Sequence, residues 1–509
     1  MPPRIRAPKL PQDYAWLNTD RPLSLTELKG RIVLLDFWTY CCINCLHVLG
    51  DLKYLEQKYK KSLTVIGIHS AKFEQEKDVE NIRQAILRYD IEHPILVDRD
   101  FELWQQYAVR AWPTLVLIDP EGYEVDRFSG EGKREILDER IAQLIHRYSE
   151  RGTTDFRDIP LILEKQKQPS TKPLAFPGKV LADETENRLF IADTGHHRIV
   201  VTTLDGTLLH VIGNGKAGLT DGSFVQAQFS APQGIAFDRT GQCLYVTDTD
   251  NHALRKIDLN CQTVETIAPT ETQNHQLLPH AVSAWETPLN SPWDLVQIED
   301  ILLIAMAGSH QIWGMDLTDG TLGTYTGTGA EGCADGTLDD AAFAQPSGLA
   351  TDGDELFVAD SEISSIRAVG LAEDARVRTI CGSGELFGFG DIDGRGDRVR
   401  LQHCLGVAYA AGFLWVADTY NHKIKQVDPH TQSCQTILGT GVPGIEDGIG
   451  QLASFSEPSG LSIAGDFLYI ADTNNHCIRR SNLTTLTVTT LEISGLCAPD
   501  VCTIDRAQN

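Results

Sequence analysis

Three cysteines stand within five positions of the stretch WTYCCINC, which runs from Trp38 to Cys45. Thiolates exchange disulfides and bind metal ions, whereas protonated thiols pack as small apolar side chains. Cys42 and Cys45 have the Cys-x-x-Cys spacing that occurs in redox centres and in zinc sites. The cluster alone leaves three interpretations open: a redox centre, half of a metal site, or a chance group of buried thiols.

The metal interpretation lacks ligands. A structural zinc site needs four of them, and residues 1–242 contain no cysteine besides these three. His47 is close in sequence, but on a helix it would point away from the Cys42 side. We therefore predict that this chain binds no metal and needs no cofactor.

The segment around the cysteines alternates strand-like and helix-like patterns. Arg31–Trp38 and Leu63–His69 are short apolar runs, typical of strands that are buried on both faces. Helical patterns extend over about Cys42–Tyr59, Lys77–Tyr89 and Glu135–Arg147. In the last of these helices we expect the core-facing residues to be Ile136, Leu137, Ile141 and Leu144. Strands that alternate with helices predict βαβ units with helices on both faces of a sheet.

From about residue 176 the chain repeats itself six times. Each copy has an apolar strand ending in Ala-Asp or a variant of it, a short turn, and usually a His before a second strand. The last copy, IADTNNHCI, covers residues 470–478. The aligned third positions are Asp193, Asp248, Met306, Asp360, Asp418 and Asp472. About four strands per copy with Gly-rich turns predict a β-propeller of six blades.

The repeated Asp and His residues invite a catalytic or metal-binding interpretation. Equivalent positions in a propeller are spread around a ring, too far apart to ligate one ion. A carboxylate at the end of a strand can accept backbone N–H bonds in the turn that follows. We therefore interpret both residue types as inter-blade and turn contacts. Met306 in place of Asp and Ser364 in place of His mark two deviant blades.

Composition and charge narrow the function classes. The 509-residue chain has a formal net charge of −26, which argues against nucleic-acid binding. It has no apolar run of the roughly 18 residues that a membrane span needs, and its N-terminus lacks a secretory h-region. Twelve cysteines are too sparse for a disulfide framework. We expect a cytoplasmic monomer without a membrane partner, in which Cys497 and Cys502 are free thiols.

The first segment resembles the thioredoxin fold, most closely its TlpA- and ResA-like subgroup. Phe37-Trp38 stand where this subgroup has its Phe-Trp pair. Asp36 lies six residues before Cys42, where thioredoxins carry a buried carboxylate. Pro113, in the stretch WPT, precedes an apolar strand as the cis-proline of the family does.

This resemblance implies a role for each matching residue. Cys42 would be the nucleophile, since a helix N-terminus stabilises its thiolate, and Cys45 would resolve the mixed disulfide. Asp36 would accept or relay a proton for Cys45. Pro113 would expose backbone groups beside the sulfurs, where an extended substrate could pair.

Two departures from the family leave the activity open. Ile43-Asn44 replaces the familiar Gly-Pro, and this dipeptide tunes the pKa of the thiol and the reduction potential. Cys41 stands where many thioredoxins have Trp. Cys41 could be an accessory thiol that bridges to Cys42, but we favour a bystander that packs as a small apolar residue. The alternative to an oxidoreductase is a redox-inactive interaction scaffold.

The repeats resemble the NHL repeat family, whose signature is similar to the Ala-Asp-Thr-x-Asn-His-x-Ile of the last copy. Together the two parts resemble the NHL repeat-containing protein 2 family. The predicted fold class is multidomain, an α/β thioredoxin-like domain followed by an all-β six-bladed NHL propeller. The predicted parts are the thioredoxin-like domain 14–150, a linker 151–175, the propeller 176–495 and a C-terminal tail 496–509. The resemblance implies a thiol–disulfide oxidoreductase whose propeller recruits a protein partner or a disulfide substrate.

Overall fold

The computed structural model describes residues 4–499 except 156, 158, 160, 169–170, 269–272 and 274–281. The chain forms two compact units, Met1–Ser170 and Thr171–Asn509. The first is an α/β unit of the thioredoxin type and the second is a six-bladed β-propeller, which confirms the predicted fold class. Within the described ranges, no helix is long and apolar enough to cross a membrane.

The first unit is one mixed sheet with helices on its faces. Its strands are β1 (Ile5–Arg6), β2 (Trp16–Leu17), β3 (Ile32–Trp38), β4 (Leu63–His69), β5 (Ile95–Val97), β6 (Thr114–Ile118) and β7 (Tyr123–Ser129). Its helices are α1 (Ile43–Lys58), α2 (Val79–Arg88), α3 (Glu102–Gln106), α4 (Arg134–Glu150) and α5 (Glu164–Lys167). The strand order is β1-β7-β6-β3-β4-β5-β2, so β3 and β4 lie in the middle.

The central strands β3 and β4 are buried along their whole length, as continuous apolar runs require. They pair in parallel, from Ile32 opposite Leu63 to Trp38 opposite His69. A parallel pair needs a crossover, and α1 provides it. The N-terminus of α1 therefore follows directly after the C-terminal end of β3, where the cysteine cluster stands.

Helix α4 shows one error in the sequence expectation. Its buried stripe consists of Leu137, Ile141, Leu144 and Tyr148. Ile136 was expected in the core but is 48% exposed. Successive helical residues are rotated by about 100°, so Ile136 lies beside the stripe that Leu137 and Ile141 already fill.

Part of the polar stretch after α4 packs on the first unit. The Asp155 N–H donates to the Gly30 carbonyl at 2.8 Å. Farther along, the Glu164 carboxylate at the start of α5 binds the Arg83 guanidinium at 2.8 Å. This part of the stretch, including the short helix α5, is therefore held by contacts with the α/β unit.

The propeller consists of six antiparallel sheets, one per repeat. Blades 1 and 2 contain Val180–Asp183, Arg188–Asp193, Arg198–Thr202 and Leu208–Ile212, then Pro232–Asp238, Cys243–Asp248, Ala253–Asp258 and Thr263–Ala268. Blades 3 and 4 contain Pro292–Ile298, Ile301–Met306, Gln311–Asp316 and Thr321–Thr326, then Pro346–Thr351, Glu355–Asp360, Ser365–Gly370 and Arg376–Cys381. Blades 5 and 6 contain Gly406–Ala410, Phe413–Asp418, Lys423–Val427 and Ser433–Leu438, then Pro458–Ala464, Phe467–Asp472, Cys477–Asn482 and Thr487–Leu491. Two-residue strands extend the outer edges of blades 2–6: Gly222–Ser223, Val282–Ser283, Gly336–Thr337, Gly394–Arg395 and Gly448–Ile449.

The ring closes between blades 6 and 1 through backbone hydrogen bonds. All four strands of blade 1 come from residues 180–212. The Gly460 N–H donates to the Gly178 carbonyl at 2.9 Å, and the Leu208 N–H donates to the Ser494 carbonyl at 3.2 Å. The first and last repeats are therefore neighbours in the ring, each with its own strands, and one apolar cluster that includes Ile191 and Ile478 lies between their sheets.

The repeated His residues connect neighbouring blades. The Nδ1 of His476 in blade 6 accepts a hydrogen bond from the Phe176 N–H, at 3.1 Å, before blade 1. Equivalent bonds join the pairs His197 and Ala231, His252 and Ser291, His310 and Gln345, and His422 and Glu457. In blade 4 the hydroxyl of Ser364 accepts the corresponding bond from the His403 N–H at 3.0 Å. The inter-blade interpretation of the His residues is therefore confirmed.

The repeated Asp residues lie in buried polar networks. Asp472 in blade 6 accepts bonds from the Ser456 N–H at 2.7 Å and from the Arg479 guanidinium at 3.0 Å. In blade 3, Met306 stands at the Asp position and Trp313 at the Arg position, and both belong to one apolar cluster. The Asp ends its strand as expected, but its backbone N–H partner lies before the first strand of the blade, and the turn that follows reaches the carboxylate through the Asn475 side chain instead. In the deviant blade, apolar packing replaces the ion pair.

Most of the cysteines are free thiols, ten of them among the described residues. Cys497 is disulfide-bonded, so the expectation of a free thiol at this residue is wrong. Sequence spacing in a tail does not show which sulfurs the folded chain brings together. Cys502 lies outside the described residues.

Candidate active site

Cys42 and Cys45 stand at the beginning of α1. Cys42 is the N-cap residue, and its carbonyl accepts bonds from the N–H groups of Cys45 and Leu46 at 3.0 and 3.2 Å. The free N–H groups and the dipole at this end of a helix favour a negative charge nearby. Cys42 is partly exposed, whereas Cys45 is buried. Of the two sulfurs, Cys42 is thus the one that a substrate can reach.

The buried thiol of Cys45 is hard to ionise. Burial raises the pKa of Cys45 well above its usual value, and the neighbouring Cys42 and the charge of Asp36 raise it further. A thiol in such surroundings stays protonated until a base takes its proton. Cys45 can become a nucleophile only with the help of a nearby base.

Asp36 on β3 has the properties of that base. Its side chain is completely buried, and neither carboxyl oxygen has a hydrogen-bond partner among the described residues. Burial raises the pKa of Asp36 to about 7, and the charge of His93 partly opposes this rise. A carboxyl that titrates near neutral pH can take up a proton and release it within a reaction cycle.

Pro113 lies at the same end of the sheet. The Trp112–Pro113 peptide is cis, and β6 begins at the next residue, Thr114. Strand β6 runs antiparallel to β3, with Thr114 opposite Phe37. The N-terminal end of β6 is therefore beside the C-terminal end of β3, from which the cysteine loop leaves.

Cys41 helps to anchor the loop between β3 and α1. It is buried, and its Sγ lies 3.9 Å from the Thr39 hydroxyl. The Cys41 N–H donates to the Glu76 carboxylate at 2.9 Å. The same carboxylate accepts the N–H groups of Lys72 and Phe73, each at 2.9 Å. The buried Glu76 thereby connects the cysteine loop to the loop after β4.

Sequence reasoning missed Glu76 and His93. Glu76 stands in the charged stretch EQEK, which looks like an ordinary solvated surface. His93 stands before a proline in a loop, at no spacing that links it to Asp36. Both act through contacts between distant parts of the chain, which local patterns do not reveal. In the described part of the chain, no group of three or more His, Cys, Asp or Glu side chains could hold a metal ion.

Comparisons with known families match both units. A family model described as thioredoxin-like matches residues 30–124. A second model, the NHL repeat, matches residues 455–480, which include the end of the loop before blade 6 and much of that blade. The matched regions thus contain the cysteine cluster and one copy of the repeat.

Two similar proteins align with almost the whole chain. NHL repeat-containing protein 2 of Gallus gallus is 42% identical over 535 residues, which cover 98% of this chain and 73% of that protein. The protein SUPPRESSOR OF QUENCHING 1, chloroplastic, of Arabidopsis thaliana is 44% identical over 511 residues, which cover 97% of this chain and 48% of that protein. This chain therefore spans about half the length of the Arabidopsis relative.

A third relative aligns with the first unit alone. The thiol-disulfide oxidoreductase ResA of Bacillus cereus (strain ATCC 10987 / NRS 248) is 28% identical over 125 residues. The alignment covers 24% of this chain and 69% of that protein. The first unit is thus related to thiol–disulfide oxidoreductases.

Proposed function

Because this chain belongs to the NHL repeat-containing protein 2 family and joins a thioredoxin-like unit to a propeller, we propose that it is a thiol–disulfide oxidoreductase. The observation that carries the proposal is the arrangement of three side chains. An accessible Cys42 at a helix N-terminus adjoins a buried Cys45, whose thiol interacts with the buried carboxyl of Asp36. This arrangement separates the tasks of attack, resolution and proton transfer.

In the proposed reaction, the Cys42 thiolate attacks one sulfur of a substrate disulfide, and the other substrate sulfur leaves as a thiolate. Cys45 then gives its proton to the Asp36 carboxylate and attacks Cys42 Sγ. The mixed disulfide breaks, a second substrate thiolate leaves, and a Cys42–Cys45 disulfide remains. Two electrons pass to the substrate, and the reverse sequence oxidises a dithiol.

We assign Pro113 to substrate positioning and Cys41 to packing. An extended substrate segment beside Pro113 would be held by backbone hydrogen bonds next to the sulfurs. Cys41 is buried and its backbone is tied to Glu76, which supports a structural part rather than that of an accessory thiol.

The propeller recruits a protein partner or disulfide substrate in this proposal. Its repeated Asp and His residues make contacts within and between the blades. Several apolar side chains in its loops are strongly exposed instead, including Val225, Val442 and Leu452 at 68, 66 and 77%. Exposed apolar side chains of this kind suit protein–protein contacts. The net charge of −26 supports a partner other than nucleic acid, and we propose a monomer.

We propose the cytoplasm as the location. The ten free thiols among the described residues suit a reducing compartment. The name of the Arabidopsis relative places that protein in the chloroplast. Fractionation of the source cells with an antibody against this chain would decide between the cytoplasm and an organelle.

An insulin-reduction assay with dithiothreitol as the electron donor tests the activity. Cys42→Ser should remove the stimulation over the dithiothreitol background, and Cys45→Ser should leave a trapped mixed disulfide with the client. Cys261→Ser, which changes an exposed thiol of the propeller, is the matched control and should keep full activity. Equal rates for the wild type and Cys42→Ser would refute the proposal and favour a redox-inactive scaffold.

A further inference from the structure

Several side chains converge beside Asp36 because a glycine stands opposite it. Asp36 on β3 pairs with Gly67 on β4. A Cβ at Gly67 would lie 2.4 Å from Ile95 Cδ1, 2.9 Å from Trp38 Nε1 and 3.4 Å from His93 Nε2. A larger residue at this position would push these side chains away. Gly67 therefore lets the His93 imidazole come close to the strand that carries the buried carboxyl.

His93 and Asp36 act on each other. The charge of His93 lowers the pKa of Asp36 against the rise that burial causes. Both Asp36 carboxyl oxygens and His93 Nε2 are buried, and none of these three atoms has a hydrogen-bond partner among the described residues. Buried polar atoms of proteins are nearly always hydrogen-bonded to protein or to ordered water. One bridging water would satisfy the carboxyl and the imidazole together.

The other nitrogen of the imidazole points toward the surface. His93 Nδ1 lies 3.3 Å from the Glu56 carboxylate on α1. The His93 side chain is 4% exposed and that of Glu56 is 28% exposed, so the pair connects the interior to solvent. Burial lowers the pKa of His93, but Glu56 and Asp36 outweigh this effect and raise it above its usual value. The carboxyl groups on both sides of the imidazole thus favour a proton on it, and burial favours its loss.

The other titratable groups around Asp36 do not offer this route. Cys45, on α1, is the thiol whose proton has to be removed. His69 on β4 packs edge-on against Trp38, with 5.1 Å between the ring centroids. Burial lowers the pKa of His69 to about 3, so it stays neutral at working pH. Neither group reaches a surface carboxylate in the way that His93 does.

We propose that His93 and Glu56 form the route by which Asp36 exchanges its proton with solvent during the reaction of the cysteine pair. This inference rests on the proposed function. Asp36 receives the proton of Cys45 and passes it through a bridging water to Nε2 of the neutral imidazole. The proton on Nδ1 moves to the Glu56 carboxylate, which releases it to solvent. One proton leaves Cys45 and one reaches solvent, while Asp36 and Glu56 end as carboxylates.

Stopped-flow reaction of the reduced protein with Ellman's reagent separates the two sulfurs. Attack by Cys42 releases one thionitrobenzoate, and attack by Cys45 on the resulting mixed disulfide releases the second. The trace of Cys42→Ser, subtracted from each measurement, removes the contribution of the exposed Cys261. The rate of the second phase against pH then reports the proton transfer from Cys45.

His93→Gln should slow the second phase at least tenfold and leave the first phase unchanged. It should also move the pH midpoint of the second phase upward, because the charge that lowers the pKa of Asp36 is lost. Glu56→Gln should act in the same direction by a smaller factor, about threefold, since other oxygens at the surface can accept the proton. His146→Gln removes a His from the exposed pair with Glu150 on α4 and should resemble the wild type.

Two results would overturn the route. One is an unchanged second phase and pH midpoint in both His93→Gln and Glu56→Gln. The other is an equal slowing of both phases in Glu56→Gln, which is the deciding variant if His93→Gln fails to fold. A wild type that releases no second thionitrobenzoate would instead refute the proposed function. The proposed route serves that reaction and would be refuted with it.

Discussion

Two fully buried aspartates, Asp36 in the first unit and Asp472 in the propeller, have opposite surroundings. Burial raises the pKa of both, to about 7 in Asp36 and to about 6 in Asp472. Against this rise, Asp472 has the Asn475 side chain, the Ser456 N–H and the Arg479 guanidinium. For Asp36, the charge of His93 is the one interaction with a described residue that opposes the effect of burial on the pKa.

The comparison teaches that the partners of a buried carboxyl distinguish architecture from chemistry. A carboxylate that accepts several hydrogen bonds and an ion pair holds its neighbours in place. A buried carboxyl without hydrogen-bond partners lowers the stability of the folded protein, but it can still change its protonation state. The propeller repeats the first kind around its ring, and the α/β unit places the second kind next to its cysteines.

The largest loss of stability is expected where a fully hydrogen-bonded carboxylate loses its cationic partner. Arg479→Met leaves Asp472 buried without its cation and should lower the free energy of unfolding by about 3–5 kcal/mol. Urea unfolding of the full chain, followed by tryptophan fluorescence, measures the loss. The double variant Asp472→Met, Arg479→Trp copies blade 3, where Met306 and Trp313 occupy these positions, and should lose less. A double variant as unstable as the single one would show that the ion pair is not what the blade needs.

Replacing Asp36, the carboxyl without hydrogen-bond partners among the described residues, should stabilise the protein at neutral pH instead of destabilising it. Asp36→Asn removes a group whose pKa in the folded protein is about 7 against an ordinary value of 3.8. The wild type binds this proton more tightly when folded, so the stabilisation is complete below about pH 4. It is lost as the pH rises to 7. The stability of Asp36→Asn relative to the wild type should therefore grow by up to about 4 kcal/mol over this window and then level off.

Denaturant midpoints of both proteins, measured from pH 4 to 8, test this expectation. The propeller aspartates titrate in both proteins and cancel in the difference. If the difference in stability between the two proteins does not change with pH, Asp36 is ionised in the folded protein and has hydrogen-bond partners there.

Sequence patterns predict elements well and partners poorly. Strand β4 begins and ends where the apolar run Leu63–His69 predicts, because burial on both faces demands a continuous run. Asp36 could be singled out through the resemblance to thioredoxins, which carry a buried carboxylate at this distance before the first cysteine. The surroundings of its buried carboxyl could not be predicted, because they depend on Gly67 and His93. The fold brings these two residues from another strand and from a loop. The error at Ile136 has a similar origin, because the choice between adjacent helix faces is made by the sheet below.

Glu76 allows the same comparison of two buried carboxyl groups within the first unit. It is a buried carboxylate like Asp36, but it accepts three backbone N–H bonds, from Cys41, Lys72 and Phe73. Glu76→Gln presents an amide N–H to some of these donors and should cost about 1–3 kcal/mol of stability. The pH midpoint of the second thionitrobenzoate phase should stay that of the wild type. A shifted midpoint, measured in the same stopped-flow experiment, would place Glu76 in the proton chemistry instead of the scaffold.

The smallest loss of stability is expected at the hydrogen bonds between neighbouring blades. His476 accepts one backbone N–H, and blade 4 makes the equivalent bond with Ser364. His476→Ser keeps a possible acceptor and should lower the free energy of unfolding by about 1 kcal/mol, whereas His476→Ala leaves the Phe176 N–H unsatisfied and should cost about 2 kcal/mol. Urea midpoints of the two variants measure the difference. Equal losses would mean that the ring contact between His476 and Phe176, at 4.3 Å between centroids, carries the stabilisation in place of the hydrogen bond.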